Sequence, residues 1–178
     1  MDYIKNINKN KEKELLSRFG GFSKNMVKHH HLENLSEFII HDLCSKDMFN
    51  INKAAYLVNN PDFQCLKGVA GYHHPESFTK DNSWQSQKDF TSHMKDSAFN
   101  GHVRSVSDRS LSLQDSGLEQ SKVEDLMLKF QMRDPMYHTW DMKYDNQGIF
   151  IFEKPQDSEI VEDHLLNFLQ ILSFCSIF

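Results

Sequence analysis

The residues of this chain best suited to metal chemistry are its histidines and cysteines, of which it has 10 and 3. His41 and Cys44 are three positions apart in a predicted helix, a spacing that lets two side chains bind one metal ion. Cys65, His73 and His74 are candidates to complete a tetrahedral site. Because the spacings match no zinc signature and include no CxxC or HxxxH pair, we predict core cysteines and surface histidines without a bound metal.

A second pair of residues has the types needed for acid–base chemistry. Glu37 and His41 are four residues apart in the same predicted helix, where a carboxylate can orient an imidazole and raise its pKa. The sequence contains no HExxH or GxSxG motif and no Gly-rich phosphate loop. A solvent-exposed pair is therefore favoured over a catalytic one. An enzyme that uses His41, His73 or His74 as a base or metal ligand remains an alternative.

Aromatic side chains give the chain a candidate binding pocket. Such rings line the cavities in which small apolar ligands bind, and they also fill protein cores, so both interpretations stay open. The expected partner is a small apolar or aromatic ligand, and the sequence does not identify a cofactor. The predicted ligand-contacting residues are Phe63, Tyr72, His73, Trp140 and Phe150.

The composition restricts the possible partners and location. The formal net charge is -5 and Lys and Arg form no block, so we predict no nucleic-acid partner. The first residues contain no apolar signal segment, and no apolar run reaches the roughly 18 residues of a spanning helix, so we expect no membrane partner. An odd number of cysteines without a CxxC motif favours a reducing compartment, and we predict a cytoplasmic protein.

Apolar periodicity predicts an α+β fold. A buried strand over residues 54–58 and a hairpin over residues 140–153 would form a small antiparallel sheet. A possible edge strand covers residues 102–106. Apolar residues at three- and four-residue spacing predict helices over residues 32–46, 61–71, 119–132 and 158–177, which would flank the sheet, and a further short helix over residues 10–19. Gly20 and Gly21 are expected to end the first helix.

We expect one domain built from three parts. Residues 1–48 would form N-terminal helices, residues 49–156 the α+β core, and residues 157–178 a C-terminal amphipathic helix. The core includes a polar excursion over residues 77–117, interpreted as a functional lid or a partly ordered segment. The second half of the C-terminal helix is apolar nearly all round, so it must pack on the core, in a homodimer interface, or in both.

Part of the chain resembles the PAS family of sensory domains. The motif Asn60-Pro61-Asp62-Phe63 is similar to the Asn-Pro-x-Phe that follows a strand in that family, and Gly71-Tyr72 with Glu76 is similar to its next conserved element. The hairpin over residues 140–153 and the helix after it also fit the resemblance. It implies a sensory or ligand-binding module in which Tyr72, His73 and Trp140 contact the ligand and the C-terminal helix forms a homodimer.

Three functional classes therefore stay open on the sequence. The first is a PAS-like sensory or small-molecule-binding module, and the second is an enzyme that uses its histidines beneath a lid. The third is a non-catalytic interaction module whose C-terminal helix is the contact surface. The first class is the prediction, because the aromatic residues and the PAS-like motif support it together.

Overall fold

The computed structural model describes residues 2–79, 82–108, 120–153 and 162–175. Short 3₁₀ turns lie at His74–Glu76, Lys143–Asp145 and Gln170–Phe174. The architecture confirms the predicted α+β class. Within the described ranges the helices and strands are α1 (Asp2–Lys28), α2 (Leu35–Cys44), β1 (Lys53–Asn60), β2 (Cys65–His73), α3 (Gln87–Asp96), α4 (Ala98–Arg104), β3 (Ser107–Asp108), α5 (Gln120–Lys129), β4 (Pro135–Asp141), β5 (Gln147–Glu153) and α6 (Glu162–Leu169).

The strands form one antiparallel sheet in the order β3-β2-β1-β5-β4. Strand β1 lies at the centre and pairs with β2 on one side and β5 on the other. Residues 54–58 are buried because this apolar run is covered on both faces of the sheet. The predicted strand at residues 54–58 is confirmed, and so is a hairpin that ends at Glu153. The bounds predicted for the hairpin, 140–153, are wrong at its first strand, which is Pro135–Asp141, because the chain turns earlier, through Lys143–Asp145.

The helix predicted over residues 61–71 is wrong, because most of this segment belongs to β2. The chain reverses direction just before that strand: the Phe63 N–H donates to Asn60 Oδ1 at 3.1 Å, and the Gln64 N–H donates to the Pro61 carbonyl at 3.0 Å. Gln64 has a φ of 45°, which closes the turn and starts a hairpin with β1. Glycines inside β2 interrupt the alternation of apolar side chains by which a strand is recognised.

Side chains of β1 alternate between the two faces of the sheet. Tyr56 lies in a first core formed with α1, α2, α3 and α6, whereas Leu57 lies in a second core formed with α4 and α5. Helix α2 contributes the buried stripe that its periodicity predicts, including Leu35, Phe38 and Leu43. Helices therefore cover the sheet on both faces.

The polar stretch after β2 contains helices α3 and α4. Phe90 anchors α3 in the first core, and Val103 anchors α4 in the second core. The edge strand predicted over residues 102–106 is wrong: a helix forms here because Phe99 and Val103, four residues apart, bury one face. The strand that follows, β3, is the two-residue segment Ser107–Asp108.

Helix α1 is longer than predicted, and Gly20 and Gly21 do not end it. It continues to Lys28 because its later turns pack on the first core. Phe22 is buried there, with its ring centroid 6.3 Å from that of Phe168 in α6. Burial of apolar surface outweighs the weak helix preference of the two glycines.

Helix α6 is shorter than the helix predicted over residues 158–177. It is followed directly by the 3₁₀ turn Gln170–Phe174, and Leu165, Phe168 and Leu172 are buried in the first core. The C-terminal segment thus packs on its own chain, and its role in a homodimer stays a prediction. Some predicted segments lie outside the described residues, in whole or in part: 80–81, 109–119, 154–161 and 176–178.

Candidate functional site

A polar cleft of about 550 Å³ opens beside β2, towards one edge of the sheet. The start of α2, the strand β2 and the helices α3 and α4 form its walls. The cleft has room because β3 pairs with just two residues of β2, which leaves the rest of that edge to be covered by helices. The charged and hydroxyl-bearing residues that matter most in its lining are Glu33, Glu37, Lys67, Thr91, Lys95 and Arg104.

Two glycines let α4 lie directly against β2. A Cβ atom at Gly68 would stand 1.8 Å from the Val103 carbonyl oxygen, and one at Gly71 would stand 2.8 Å from Val103 Cγ2. The Gly68 N–H also donates to the Val106 carbonyl at 2.9 Å, so the chain after α4 continues the pairing of β3. A side chain at either glycine would push α4 away from the sheet and change the shape of the cleft.

Asn100 of α4 bonds to the outer edge of β2. Its Oδ1 accepts from the Gly71 N–H at 2.9 Å, while its Nδ2 donates to the Met94 carbonyl at 2.8 Å and to Glu37 Oε1 at 2.9 Å. The residue is 1% exposed, and both ends of its amide have partners, as buried polar groups require. Asn100 therefore joins α4 to α2, α3 and β2 at one point.

Glu37 is the buried carboxylate of the cleft, with 3% of its side chain exposed. It accepts hydrogen bonds from Asn34 Nδ2 at 2.9 Å, from Asn100 Nδ2, and from Arg104 Nη1 at 2.8 Å. These charge-assisted contacts replace the water that burial removes. The contact with Glu37 orients the Arg104 guanidinium. Because the Arg104 side chain is 50% exposed, its other N–H donors remain accessible to a ligand.

Cationic side chains from three different elements line the cleft. Lys67 comes from β2, Lys95 from α3 and Arg104 from α4. Both lysines are exposed, and neither has an ion-pair partner among the described residues. Against these three positive charges stand the carboxylates of Glu33 and Glu37, and Glu37 is already bound to Arg104. The arrangement suits an anionic group, because ammonium and guanidinium groups bind phosphate and carboxylate oxygens.

The structure does not bring the five predicted ligand-contacting residues into one cavity. Phe63 lies at the tip of the β1–β2 hairpin and is 74% exposed, because a turn stands where a helix was predicted. Tyr72 and Phe150 are buried in the first core. Burial raises the pKa of Tyr72 to about 12, and its hydroxyl lies 3.2 Å from His74 Nδ1. Ligand binding by Tyr72 and Phe150 stays a prediction.

The other two predicted contacts, His73 and Trp140, lie on opposite faces of the sheet. The His73 ring packs on Phe99 of the second core, with 5.7 Å between centroids. The Trp140 ring stacks on Tyr56 of the first core, also with 5.7 Å between centroids. It covers Gly148, where a Cβ atom would stand 2.3 Å from Trp140 Cε2. Trp140 thus fills the space that the glycine leaves, and its contact with a ligand stays a prediction.

The predicted metal-ligand candidates are spread over the fold. Cys44 is buried in the first core, and burial raises the pKa of its thiol well above the ordinary value. Cys65 begins β2, whereas His73 ends the same strand. Among the residues that the structure describes, no three His, Cys, Asp or Glu side chains are grouped so as to hold a metal ion.

Glu37 and His41 do not form the predicted solvent-exposed pair. Glu37 is bound by α4, whereas His41 Nε2 accepts from the Phe78 N–H at 3.2 Å. The His41 ring packs edge-on against Phe90, with 5.2 Å between centroids. Its buried Nδ1 has no hydrogen-bond partner within the described part of the chain. The prediction is wrong because contacts with α3 and α4 give the two side chains different neighbours.

Glu76 binds the first turn of α4, the helix that walls the cleft. Its Oε2 accepts from Ser97 Oγ at 2.8 Å and from the Phe99 N–H at 3.0 Å, and its Oε1 lies 3.1 Å from His73 Nδ1. Partial burial raises the pKa of this carboxyl, but the hydrogen bonds and the nearby His73 lower it by more, so its pKa lies below the ordinary value. The ionised carboxylate therefore stabilises the start of α4.

Sequence reasoning missed the cationic residues of the cleft. Lys67, Lys95 and Arg104 belong to no common motif and lie far apart in the sequence, and the pair between Glu37 and Arg104 joins residues 67 positions apart. No local pattern reports such a contact. One available signal is the pair of glycines in β2, because a glycine inside an apolar strand indicates that another backbone approaches closely.

Comparison with known proteins finds no matching family model, no similar curated protein and no similar solved structure. The geometry of the chain itself therefore has to support the functional argument. No helix in the described ranges combines the length and the apolar character that crossing a membrane requires.

Proposed function

We propose that the chain is a small-molecule-binding module whose ligand carries a phosphate or carboxylate group and binds in the cleft beside β2. The proposal keeps the binding function predicted from the sequence and replaces the apolar ligand with an anionic one. One observation supports it most: Lys67, Lys95 and Arg104, from three separate elements, line the same cleft.

The cleft is prepared for an anion before a ligand arrives. Glu37 and Asn100 are buried and fully bonded, so they hold Arg104 and the end of α4 in place. A site in which donors are already oriented loses less conformational entropy on binding. Lys67 and Lys95 then add two ammonium groups that form no ion pair within the described residues, against one remaining carboxylate of the lining, Glu33.

The remaining predictions about the module are compatible with this ligand class. A PAS-like sensory role would make occupation of the cleft the sensed event. If a homo-oligomer forms through the C-terminal helix, the two copies would meet at α6, on the side of the first core that this helix covers. Both stay proposals, and neither is needed for anion binding in the cleft.

The direct test is isothermal titration of the full chain with inorganic pyrophosphate and with citrate. The variants are Lys67→Gln and Lys95→Gln, and Lys46→Gln is the matched control because Lys46 is exposed and lies outside the cleft. We expect each cleft variant to weaken binding about tenfold, the effect of losing one charged hydrogen bond, while the control binds as the wild type does.

Two results would contradict the proposal. One is the absence of heat for both anions at low ionic strength, where screening of the lysines is weakest. The other is equal affinity of Lys67→Gln, Lys95→Gln and Lys46→Gln, which would place the bound anion elsewhere. Binding of pyrophosphate without citrate would assign the site to phosphoryl groups, and the reverse would assign it to carboxylates.

A further inference from the structure

Strand β4 forms one edge of the sheet, and half of its backbone groups point away from β5. The Met142 N–H donates to the Asn146 carbonyl at 2.8 Å, which makes these residues a hydrogen-bonded pair at the end of the hairpin. Such pairs alternate along an antiparallel ladder. Every second residue from Trp140 back to Met136 therefore bonds to β5.

Tyr137 and Thr139 consequently present their N–H and C=O groups along the outer side of β4. No backbone–backbone hydrogen bond in the described part of the chain uses these outer groups. Proteins commonly protect such an edge with charged side chains, a proline, a bulge or a covering segment, and in β4 the one proline and the one acidic residue stand at the two ends of the strand. β4 has the sequence PMYHTWD, without Lys or Arg, and its register with β5 is continuous from Pro135 to Asp141.

We propose that a second copy of this chain pairs with β4, antiparallel and over the whole strand. Full overlap of the seven-residue strand places the two-fold axis beside its middle residue, His138. Tyr137 of one copy then lies opposite Thr139 of the other. Because these residues have outward backbone groups, each of the two pairs exchanges a pair of hydrogen bonds.

In this arrangement the side chains of β4 in one copy are compatible with those that they face in the other copy. Asp141 is its one acidic residue and lies at one end, so antiparallel pairing sets it opposite Pro135 and away from the other Asp141. Met136 and Trp140 are partly buried and become cross-strand neighbours, which removes apolar surface from water. A second copy therefore meets an unpaired backbone edge, apolar neighbours and no facing like charges.

The test is sedimentation velocity of the full chain over a range of protein concentrations. We expect a monomer–dimer equilibrium that Thr139→Pro abolishes, because this substitution removes an N–H that faces the second copy and none that faces β5. Thr139→Lys is a second variant that leaves the backbone free and puts a charge beside the edge. Thr79→Lys is the control at an exposed residue away from β4.

A chain that stays monomeric at every concentration overturns the proposal. A dimer that both Thr139 variants keep also overturns it, because the interface then lies elsewhere, for example on the C-terminal helix. Circular dichroism of each variant verifies that the fold is retained. Loss of the dimer in both Thr139 variants, with the dimer kept in Thr79→Lys, supports pairing through β4.

Cross-linking tests the register. In a Cys65→Ser background, His138→Cys places two thiols at a non-hydrogen-bonded pair, where Cα atoms are about 4.5 Å apart and a disulfide can form. We expect rapid intermolecular cross-linking of His138→Cys under mild oxidation and slow cross-linking of Thr139→Cys, which faces Tyr137 of the other copy. Equal rates would contradict the register centred on His138.

Discussion

The two edges of the sheet end in different ways. At the β2 edge, β3 pairs with Leu66 and Lys67, the Val106 carbonyl accepts from Gly68, and the Asn100 amide accepts from Gly71. At the β4 edge, the outward groups of the strand meet no backbone partner within the described ranges. The chain closes one edge with its own helices and leaves the other available.

At the β2 edge a helix takes the place of a neighbouring strand. Glycines remove the side chains that would hold α4 away, and one buried asparagine supplies the acceptor that a neighbouring strand would have supplied. Helical side chains do not fill this edge completely, and the remaining space is the polar cleft. At the closed edge we propose a small anion as the ligand, and at the open edge a second copy.

The largest expected effect comes from Gly68→Ala. The added methyl group would stand 1.8 Å from a backbone oxygen, which cannot rotate away, so α4 must move. We expect the free energy of unfolding to fall by about 3 kcal/mol, the upper end for overpacking. The measurement is urea denaturation, and the control is Gly101→Ala, which lies in α4.

A Cβ atom at Gly101 meets nothing within 4 Å, so Gly101→Ala should raise the free energy of unfolding by up to about 1 kcal/mol. The two alanines thus have opposite expected signs within one packing unit. A mild effect of Gly68→Ala, close to that of the control, would contradict the direct contact between α4 and β2.

The next largest effect is expected for Asn100→Ala. The substitution leaves the Gly71 N–H, the Met94 carbonyl and part of the Glu37 carboxylate without partners in a buried place. Unsatisfied buried groups cost about 1–3 kcal/mol each, partly recovered by water entry, so we expect a loss of about 2 kcal/mol in urea denaturation. Asn167→Ala, on an exposed position of α6, should change stability by less than about 0.5 kcal/mol.

A smaller, pH-dependent effect is expected from Glu76. Its pKa is lowered in the folded protein, so its contribution to stability is complete above the unfolded-state pKa of about 4.3 and is lost as the pH falls through the lower folded value. The wild type should lose stability over this range more steeply than Glu76→Gln, and the two curves should converge at low pH. Urea midpoints measured against pH test this, and parallel curves would contradict it.

Local patterns predicted the parts of the fold whose packing is set by nearby residues. The apolar run at 54–58 and the stripe through Phe38 and Leu43 each indicate their element directly. The alternation before Gln147 indicates a hairpin but not the bounds of its first strand, which ends at Asp141. The β2 strand could not be recognised, because Gly68 and Gly71 have no side chain to show which face is buried. Glycine is needed at both positions because α4, more than 25 residues further along the chain, packs directly against them.

The cleft was hidden from sequence reasoning for a related physical reason. Glu37 has polar residues, Asn34 and His41, at the spacing of one helix face, a pattern typical of a solvated face, and its burial follows from Asn100 and Arg104. The histidines suggest chemistry by their number, yet His41 accepts from the Phe78 backbone N–H, and His73 bonds to the nearby Glu76 carboxylate. Residue type alone does not distinguish a bonded structural side chain from one that is free to bind.

The most direct test of the contrast between the two edges is amide hydrogen exchange of the full chain at a low and a high protein concentration. The account predicts that the Gly68 and Gly71 amides are strongly protected at both concentrations, because α4 and the residues after it accept their hydrogen bonds. The Tyr137 and Thr139 amides should exchange rapidly at low concentration and become protected at high concentration. Rapid exchange at Gly71, or protection of Thr139 that is independent of concentration, would contradict the account.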